Sequence, residues 1–220
     1  MDFEQAIKSR YSCRKFQDQE VPRESIENIL TLSQHTASWN NVQPWHVVIA
    51  SGAAARRFST ALVTHVEAGG APNPDFAFPT EYQGVEKVRR RTCGLQLYQA
   101  VKIGREDEAR KRDQLFENYR LFNAPHVALI TAPSYLGFYA ALDCGLYVNS
   151  FMLAAQSLGV STIAQAALAL YSDFVRQHFA LGDDRKLVCG ISFGFEDKTP
   201  PINQYRTERT SLDQVVTWAD

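Results

Sequence analysis

The stretch from Tyr139 to Leu158 is the most apolar helix-forming segment of the chain, and it constrains the fold more than any other. Its apolar residues are not confined to one stripe, so the helix must be covered on several sides, as a central core or interface helix is. The longest apolar stretch inside it, Leu146 to Leu158, is interrupted by Asn149, Ser150, Gln156 and Ser157. It falls short of the roughly 20 continuous apolar residues of a membrane span. A buried helix of this length needs other elements around it, and 220 residues suffice for one sizeable domain.

The surrounding pattern supplies those elements. Phe3–Ser9 reads as a short helix with Phe3, Ala6 and Ile7 on one face. Arg23–Thr36 reads as a second helix, opened by Pro22 and turning Ile26, Ile29, Leu30 and Ser33 inward. A loop of turn formers over 37–44 leads into a strand over Trp45–Ala50, and Ala53–Glu67 is a third helix. Gly69–Pro79 is a loop rich in glycine and proline, followed by a charged helical stretch from about Tyr82 to Phe122 broken near Gly104. Val127–Thr131 and Leu187–Phe193 are further strands. Ile163–Leu170, between the apolar helix and the last strand, has no clear period and reads as an apolar linker. The tail from Pro200 to Asp220 has little apolar pattern and is expected to pack along another surface. Helices dominate and strands are few and widely separated, which points to an α+β fold rather than alternating βαβ units.

Charge excludes one class of function. The formal net charge is -1, with no basic footprint for nucleic acid. The N-terminal MDFEQAIKSRYSCRKF carries both signs and is not a secretory signal, so a soluble cytoplasmic protein is expected. Cys13, Cys93, Cys144 and Cys189 form no C-x-x-C and read as ordinary thiols. Cys13, flanked by cations, is the one candidate for reactivity.

Two clusters carry chemistry. In Arg10-Tyr11-Ser12-Cys13-Arg14-Lys15-Phe16, an extended backbone would point Arg10, Ser12 and Arg14 the same way. Such a row is either a phosphate cradle, since guanidinium groups bind phosphate oxygens bidentately, or a solvated basic turn. In Ser38-Trp39-Asn40-Asn41-Val42-Gln43-Pro44-Trp45, amides and a hydroxyl sit between a helix and a strand. They suit the donor and acceptor edge of a heterocycle, or equally a turn closed by Asn side chains.

A third pattern competes. Gly190-Ile191-Ser192-Phe193-Gly194 satisfies G-x-S-x-G, the nucleophile elbow of serine hydrolases. An elbow needs a helix directly after the turn and a histidine later in the chain. Here Glu196 to Pro201 cannot start a helix promptly, and the last histidine is His178. Ser192 is therefore read as a strand residue whose removal leaves function nearly unchanged. There is no G-x-G-x-x-G, no phosphate-binding G-x-x-x-x-G-K-[ST] and no H-E-x-x-H.

Together RYSCRKF and SWNNVQPW resemble the paired N-terminal signature of the nitroreductase family, in particular its aromatic nitroreductases. LFNAPHVALI, LDCGLYVNSFMLAAQSLGVSTIAQAAL and ISFGFEDKTPPINQYRTERTSLDQVV are similar to the same family, in the same order over nearly the whole chain. The resemblance implies a single domain over 1–220, an α+β sandwich with a small, mainly antiparallel sheet wrapped by helices, in an intertwined homodimer. It implies FMN at the dimer interface and NAD(P)H as electron donor. Arg10, Ser12 and Arg14, with Tyr11 between them, would hold the phosphate and ribityl chain, completed by Arg209 and Arg206. Ser38, Trp39, Asn41 and Gln43 would reach the flavin of the partner subunit. Gln165, Ala166 and Ala167 would line the ring, with a backbone N–H toward N5. Ala164 stands where many members have Pro, and Ala166 and Ala167 where some have an acidic residue and Gly; a backbone contact tolerates both changes.

The implied reaction needs no side-chain nucleophile, because the flavin carries the redox chemistry. Without a nucleotide-binding fingerprint, NAD(P)H would bind directly on the flavin face. A nitroaromatic, quinone or similar small acceptor would then take its place in ping-pong order. Residues 69–122 are expected to form a lid and specificity element, with Phe76, Phe78, Tyr82, Tyr98, Phe116 and Tyr119 available for stacking. Lys87, Arg89, Arg90 and Arg91 read as a solvated basic face. The tail from about 198 is expected to embrace the partner. Other tasks on the same fold, reductive dehalogenation or flavin breakdown, stay open as alternatives.

Overall fold

The computed structural model describes residues 1–219. These form α1 (Phe3–Ser9), α2 (Arg23–Ser33), β1 (His46–Ser51), α3 (Ala53–Glu67), α4 (Gly84–Ala100) and α5 (Glu108–Phe116). They continue with β2 (His126–Pro133), α6 (Gly137–Ser157), β3 (Ser161–Gln165), α7 (Ser172–His178) and β4 (Arg185–Gly194). The strands make one antiparallel sheet in the order β1-β2-β4-β3. This is the expected α+β architecture.

Alternation along β2 builds both halves of the core. Val127 and Leu129 face Phe58 and Leu62 of α3 and Val175 of α7. Ala128, Ile130 and Ala132 face Ile26 and Ile29 of α2 and Tyr147 and Phe151 of α6. A strand covered on both faces must be apolar at consecutive positions, and HVALITAP is. Trp45 stacks on Tyr147 with ring centroids 4.9 Å apart, joining the start of β1 to α6.

The helix α6 has the role its composition demands. Cys144, Tyr147, Phe151 and Ala155 are buried against the sheet, while Phe138, Leu142 and Leu146 form an exposed apolar stripe at four-residue spacing. By length and mean hydropathy Ser134–Ser157 does pass the threshold for a membrane span, contrary to the reading from interrupted runs. Its packing against α2, β2 and β3 shows it to be a core helix instead.

Two elements were not anticipated. Ile163–Leu170 is not a linker: β3 occupies its first part, and the second is a 3₁₀ segment, Ala166–Tyr171. The short α7 follows. The helical stretch beyond Tyr82 divides into α4 and α5, and α2 ends at Ser33, with turns to Thr36.

Segment 10–16 runs beside β3. Ser12 bridges Thr162 in parallel, the Cys13 N–H donates to the Thr162 carbonyl at 3.0 Å, and Phe16 bridges Glu196. Cys13 and Phe16 thereby enter a small core with Phe122, Ala124 and Ile163.

Candidate functional site

Because 10–16 is extended, Cys13 points into the protein while its neighbours Ser12 and Arg14 do not. Arg10, Ser12 and Arg14 line a cleft of about 580 Å³ together with Tyr11 and, from the far end of the chain, Tyr205, Arg206 and Arg209. None of Arg10, Arg14, Arg206 and Arg209 has a carboxylate within salt-bridge distance among the described residues. Burial, then the charge of Arg209, lowers the proton affinity of Arg10 below its ordinary value. Mutually repelling cations held in one cleft are a site for a polyanion. A second cleft, of about 520 Å³, contains Arg56 and Arg120, but Arg120 is already paired with Asp113 and Glu117.

Local contacts fix the arginines. The Arg206 guanidinium lies 3.5 Å from the centre of the Tyr11 ring, and the Tyr11 hydroxyl donates to Glu196. Burial first, and Glu196 second, push the Tyr11 phenol well above its usual range, so it stays protonated. Among the described residues Arg209 bonds only to its own neighbours, Thr207 and Glu208, through one nitrogen of its fork. The Tyr205 hydroxyl oxygen is buried with no partner among the described residues, and Tyr205 lines the same cleft.

Asn203 is the residue that sequence reasoning missed. Almost fully buried, it accepts from the Arg14 N–H at 2.8 Å and donates to the carbonyls of Lys15 (2.8 Å) and Asp197 (2.7 Å). Its own carbonyl accepts from Arg206 at 2.7 Å. One amide thus ties the two chain ends into a single cleft. An isolated Asn after two prolines, in PPINQ, was the only available sign.

The Gln165–Ala167 stretch closes β3. Ala164 and Ala166 are exposed and Ala167 is half-buried, so the chain presents bare backbone there. Gln165 differs from expectation: its side chain is buried rather than lining a ring. It donates to the Asn118 carbonyl at 2.8 Å and accepts from the Ser192 hydroxyl. Only the backbone of this residue is available to a ligand.

Loop 38–43 is built differently. Asn40, Asn41 and Gln43 adopt left-handed φ of 49°, 56° and 49°, where Asn is tolerated better than most residues. The Ser38 hydroxyl accepts from the Gln43 N–H at 3.0 Å, and the Gln43 amide bonds Asn41. The Trp39 N–H points at both oxygens of Asp143, at 3.2 Å each, and its ring sits 4.8 Å from that of Tyr139 while 60% exposed. Within one chain the loop does not join the arginine cleft. Trp39 sits at Asp143 near the start of α6, whereas Ser9, next to Arg10, bonds Gln156 near its end. Thirteen helical residues separate those anchors by about 20 Å.

Two further expectations are corrected, those for Cys13 and for Phe116 and Tyr119, while the strand reading of Ser192 holds. Cys13 is fully buried, and burial pushes its thiol up to about 11, so it is not the reactive cysteine. Ser192 is fully buried, bonded to Gln165, and not followed by a helix, which removes the hydrolase reading. In the 69–122 region, Phe116 and Tyr119 belong to the core and cannot stack on a substrate. Asn73 and Asp75 are pinned down: the Asn73 N–H donates to the Leu170 carbonyl at 2.8 Å, and Asp75 accepts from Arg176 and from the Leu187 N–H. The helix α4 remains loosely held, with no buried residue, and covers the arginine cleft through Cys93.

Known proteins share this fold. A sequence profile described as the nitroreductase family matches residues 7–195. The chain is 38% identical to nitroreductase NfnB of Mycolicibacterium smegmatis, over 96% of this chain and 90% of that protein. It is 31% identical to a 4-nitrobenzoate reductase of Nocardioides sp., over 99% of this chain and 91% of that protein. The crystal structure of the FMN-dependent NfnB of Mycobacterium smegmatis with NADPH superposes with a TM-score of 0.94 at 36% identity, covering 99% and 97% of the two chains. The chain belongs to the nitroreductase family.

Proposed function

We propose that the chain is an FMN-dependent reductase that draws on NAD(P)H and acts on nitroaromatics, quinones and similar electron-poor small molecules in the cytoplasm. The observation that carries the reading is the set of four guanidinium groups, without a carboxylate partner among the described residues, gathered from both chain ends into one cleft. Relatives named as nitroreductases and as an FMN-dependent enzyme bound to NADPH support it. The cleft fits the phosphate end of FMN by its chemistry: cations for the phosphate, and the Ser12 hydroxyl and the Tyr205 hydroxyl, which has no partner among the described residues, for polar groups beside it. Outside the cleft's lining, the bare backbone of Ala166 and Ala167 would serve a ring edge. When bound, FMN supplies the two-electron exchange between donor and acceptor.

The chain's own residues do the rest. Arg10, Arg14, Arg206 and Arg209 neutralise the phosphate, with Asn203 holding Arg14 and Arg206 in register. Tyr11 carries the Arg206 guanidinium on its ring. Ala166 and Ala167 offer N–H groups without side chains that would block approach. Donor and acceptor would share one face in turn, a reading in keeping with a sequence that carries no G-x-G-x-x-G fingerprint.

Ser38, Trp39, Asn41 and Gln43 complete the site from a second copy of the chain. About 20 Å of α6 keeps them from the cleft of their own subunit. The exposed stripe Phe138, Leu142 and Leu146, and Leu212, Val215 and Trp218 of the tail, provide apolar surface for that pairing. In the 69–122 excursion, α4 serves as the cover of the site, and 72–76 is its fixed base.

The purified protein should be yellow and release FMN, not FAD, on denaturation. With NADPH and a nitroaromatic, double-reciprocal plots should be parallel. Release of FAD, or no flavin after reconstitution, overturns the cofactor; intersecting lines with a ternary complex overturn the shared face.

A further inference from the structure

The G-x-S-x-G run of β4 is accounted for by none of the roles above, although each of its three fixed positions touches an element of the proposed flavin site. At Gly190 an added Cβ would collide with Leu168 Cδ1, and Leu168 is fully buried in the segment directly after Ala167. At Gly194 an added Cβ would stand 2.7 Å from Pro125 and 3.4 Å from Phe16, the residue that anchors segment 10–16. Between them Ser192 donates to Gln165 Oε1, which orients the amide so that its Nε2 reaches the Asn118 carbonyl at 2.8 Å. Gln165 itself pairs in register with Gly190.

The amide of Gln165 therefore joins three elements: the end of β3, the middle of β4, and the turn after α5. That turn continues through Leu121, Phe122 and Asn123, three consecutive non-glycine residues at φ of 56°, 52° and 61°. Such a run is unfavourable for L-residues and persists only where surrounding contacts over-determine it. Leu121 and Phe122 are buried in two different core clusters, and the Gln165–Asn118 bond lies at the turn's entrance.

We infer that Ser192 and Gln165 are positioning residues, acting through the buried Ser192–Gln165–Asn118 relay to fix the backbone of Ala166 and Ala167 at the redox face. This rests on the flavin reading above. Neither side chain touches a ligand. The hydroxyl selects one orientation of the Gln165 amide, and the two anchored ends prevent the residues that follow from swinging away from the sheet. Gly190 lets Leu168 lie against β4 and holds the far side of the same short segment. The sequence expectation that Ser192 is dispensable is thereby revised.

The test compares the full chain with Ser192→Ala and Gln165→Leu. In apo-protein, exchange of the buried Leu168 and Ala169 amides should accelerate by about tenfold, the size of one buried hydrogen bond, while Val127–Ile130 in β2 stay as protected as in the parent. In FMN-loaded protein, kcat should fall by about the same factor and the flavin midpoint potential should shift, with FMN affinity within about twofold because the arginine cleft is untouched. Unchanged exchange at 168–169 overturns the relay. So does acceleration spread evenly into β2, or unchanged kcat and potential in both variants. If the parent binds no flavin, the functional reading has failed, and the exchange comparison alone still decides whether the relay holds the segment.

Discussion

The arginine cleft and the Ser38–Gln43 loop are both polar, and both lie beside α6, at opposite ends of it. The cleft is built from both chain ends: Asn203, Tyr11 and Ser12 hold Arg14 and Arg206, and none of its four arginines is paired with a carboxylate among the described residues. The loop closes on itself. Its polar groups bond one another, its backbone is tied by Trp39 to a single carboxylate, and its largest ring is exposed. On the proposed reading the cleft is the finished half of an anion site, and the loop completes the site of a second copy. On that proposal, two regions about 20 Å apart on one subunit would be joined when two copies exchange them.

The sharpest way to break that comparison is to remove charge from the finished half. A charged hydrogen bond is typically worth roughly 1.5–3 kcal/mol, and 1.4 kcal/mol is tenfold. Arg209→Ala should therefore weaken FMN binding by about tenfold to a hundredfold, measured by flavin titration. Thermal stability should be nearly unchanged, because Arg209 is exposed and bonds only residues 207 and 208. Undiminished affinity would show that the C-terminal segment does not share the phosphate site.

The next effect is smaller and tests the exchange itself. Trp39→Ala should lower FMN affinity by about fivefold, the low end of the roughly 1–3 kcal/mol of an aromatic stacking contact, because its ring stands at the rim of the site. Mixing Trp39→Ala and Arg209→Ala subunits gives heterodimers with one doubly defective site and one intact site. Near-parental affinity should return in up to half of the heterodimer sites. If each chain builds its site from its own loop and its own arginines, mixing restores nothing.

The same contrast explains what could be read from sequence. α1 and α3 have the boundaries expected, and the strands near 45, 127 and 187 lie within two residues of expectation at their starts, because their apolar periods are clean. β3 was invisible: STIAQ gains its identity from pairing with β4, and the apolar residues after it continue without a break into a 3₁₀ segment. α7 buries only Ser172 and Val175, too few to show a stripe. In the site, the row Arg10, Ser12, Arg14 was legible as alternation, whereas Asn203 and the Gln165 side chain were not. Their roles depend on partners 189 and 27 residues away, and no local spacing encodes that.

The smallest expected effect concerns pH and the frame behind the cleft. His126 opens β2 almost fully buried, stacked on Phe193 at 5.0 Å. Its Nε2 accepts from the Val21 N–H at 2.8 Å, so the proton of the neutral ring sits on Nδ1, which has no partner among the described residues. Protonating Nε2 would set a donor against a donor. Burial lowers the His126 pKa below its ordinary value of 6.5, with Glu20 opposing more weakly. Between the two values the unfolded chain binds the extra proton and the folded chain does not. The contribution of His126 to stability is therefore complete above about pH 6.5 and is lost as pH falls toward the depressed folded value. His126→Gln keeps an acceptor for Val21 but cannot titrate. Its Tm, followed from pH 7.5 to pH 5, should fall less steeply than the parent's. Parallel curves would mean that His126 is charged in the fold or is not pinned by Val21. The exposed Ser38–Gln43 loop contains no titratable side chain, so loop variants such as Trp39→Ala should keep the parent's slope.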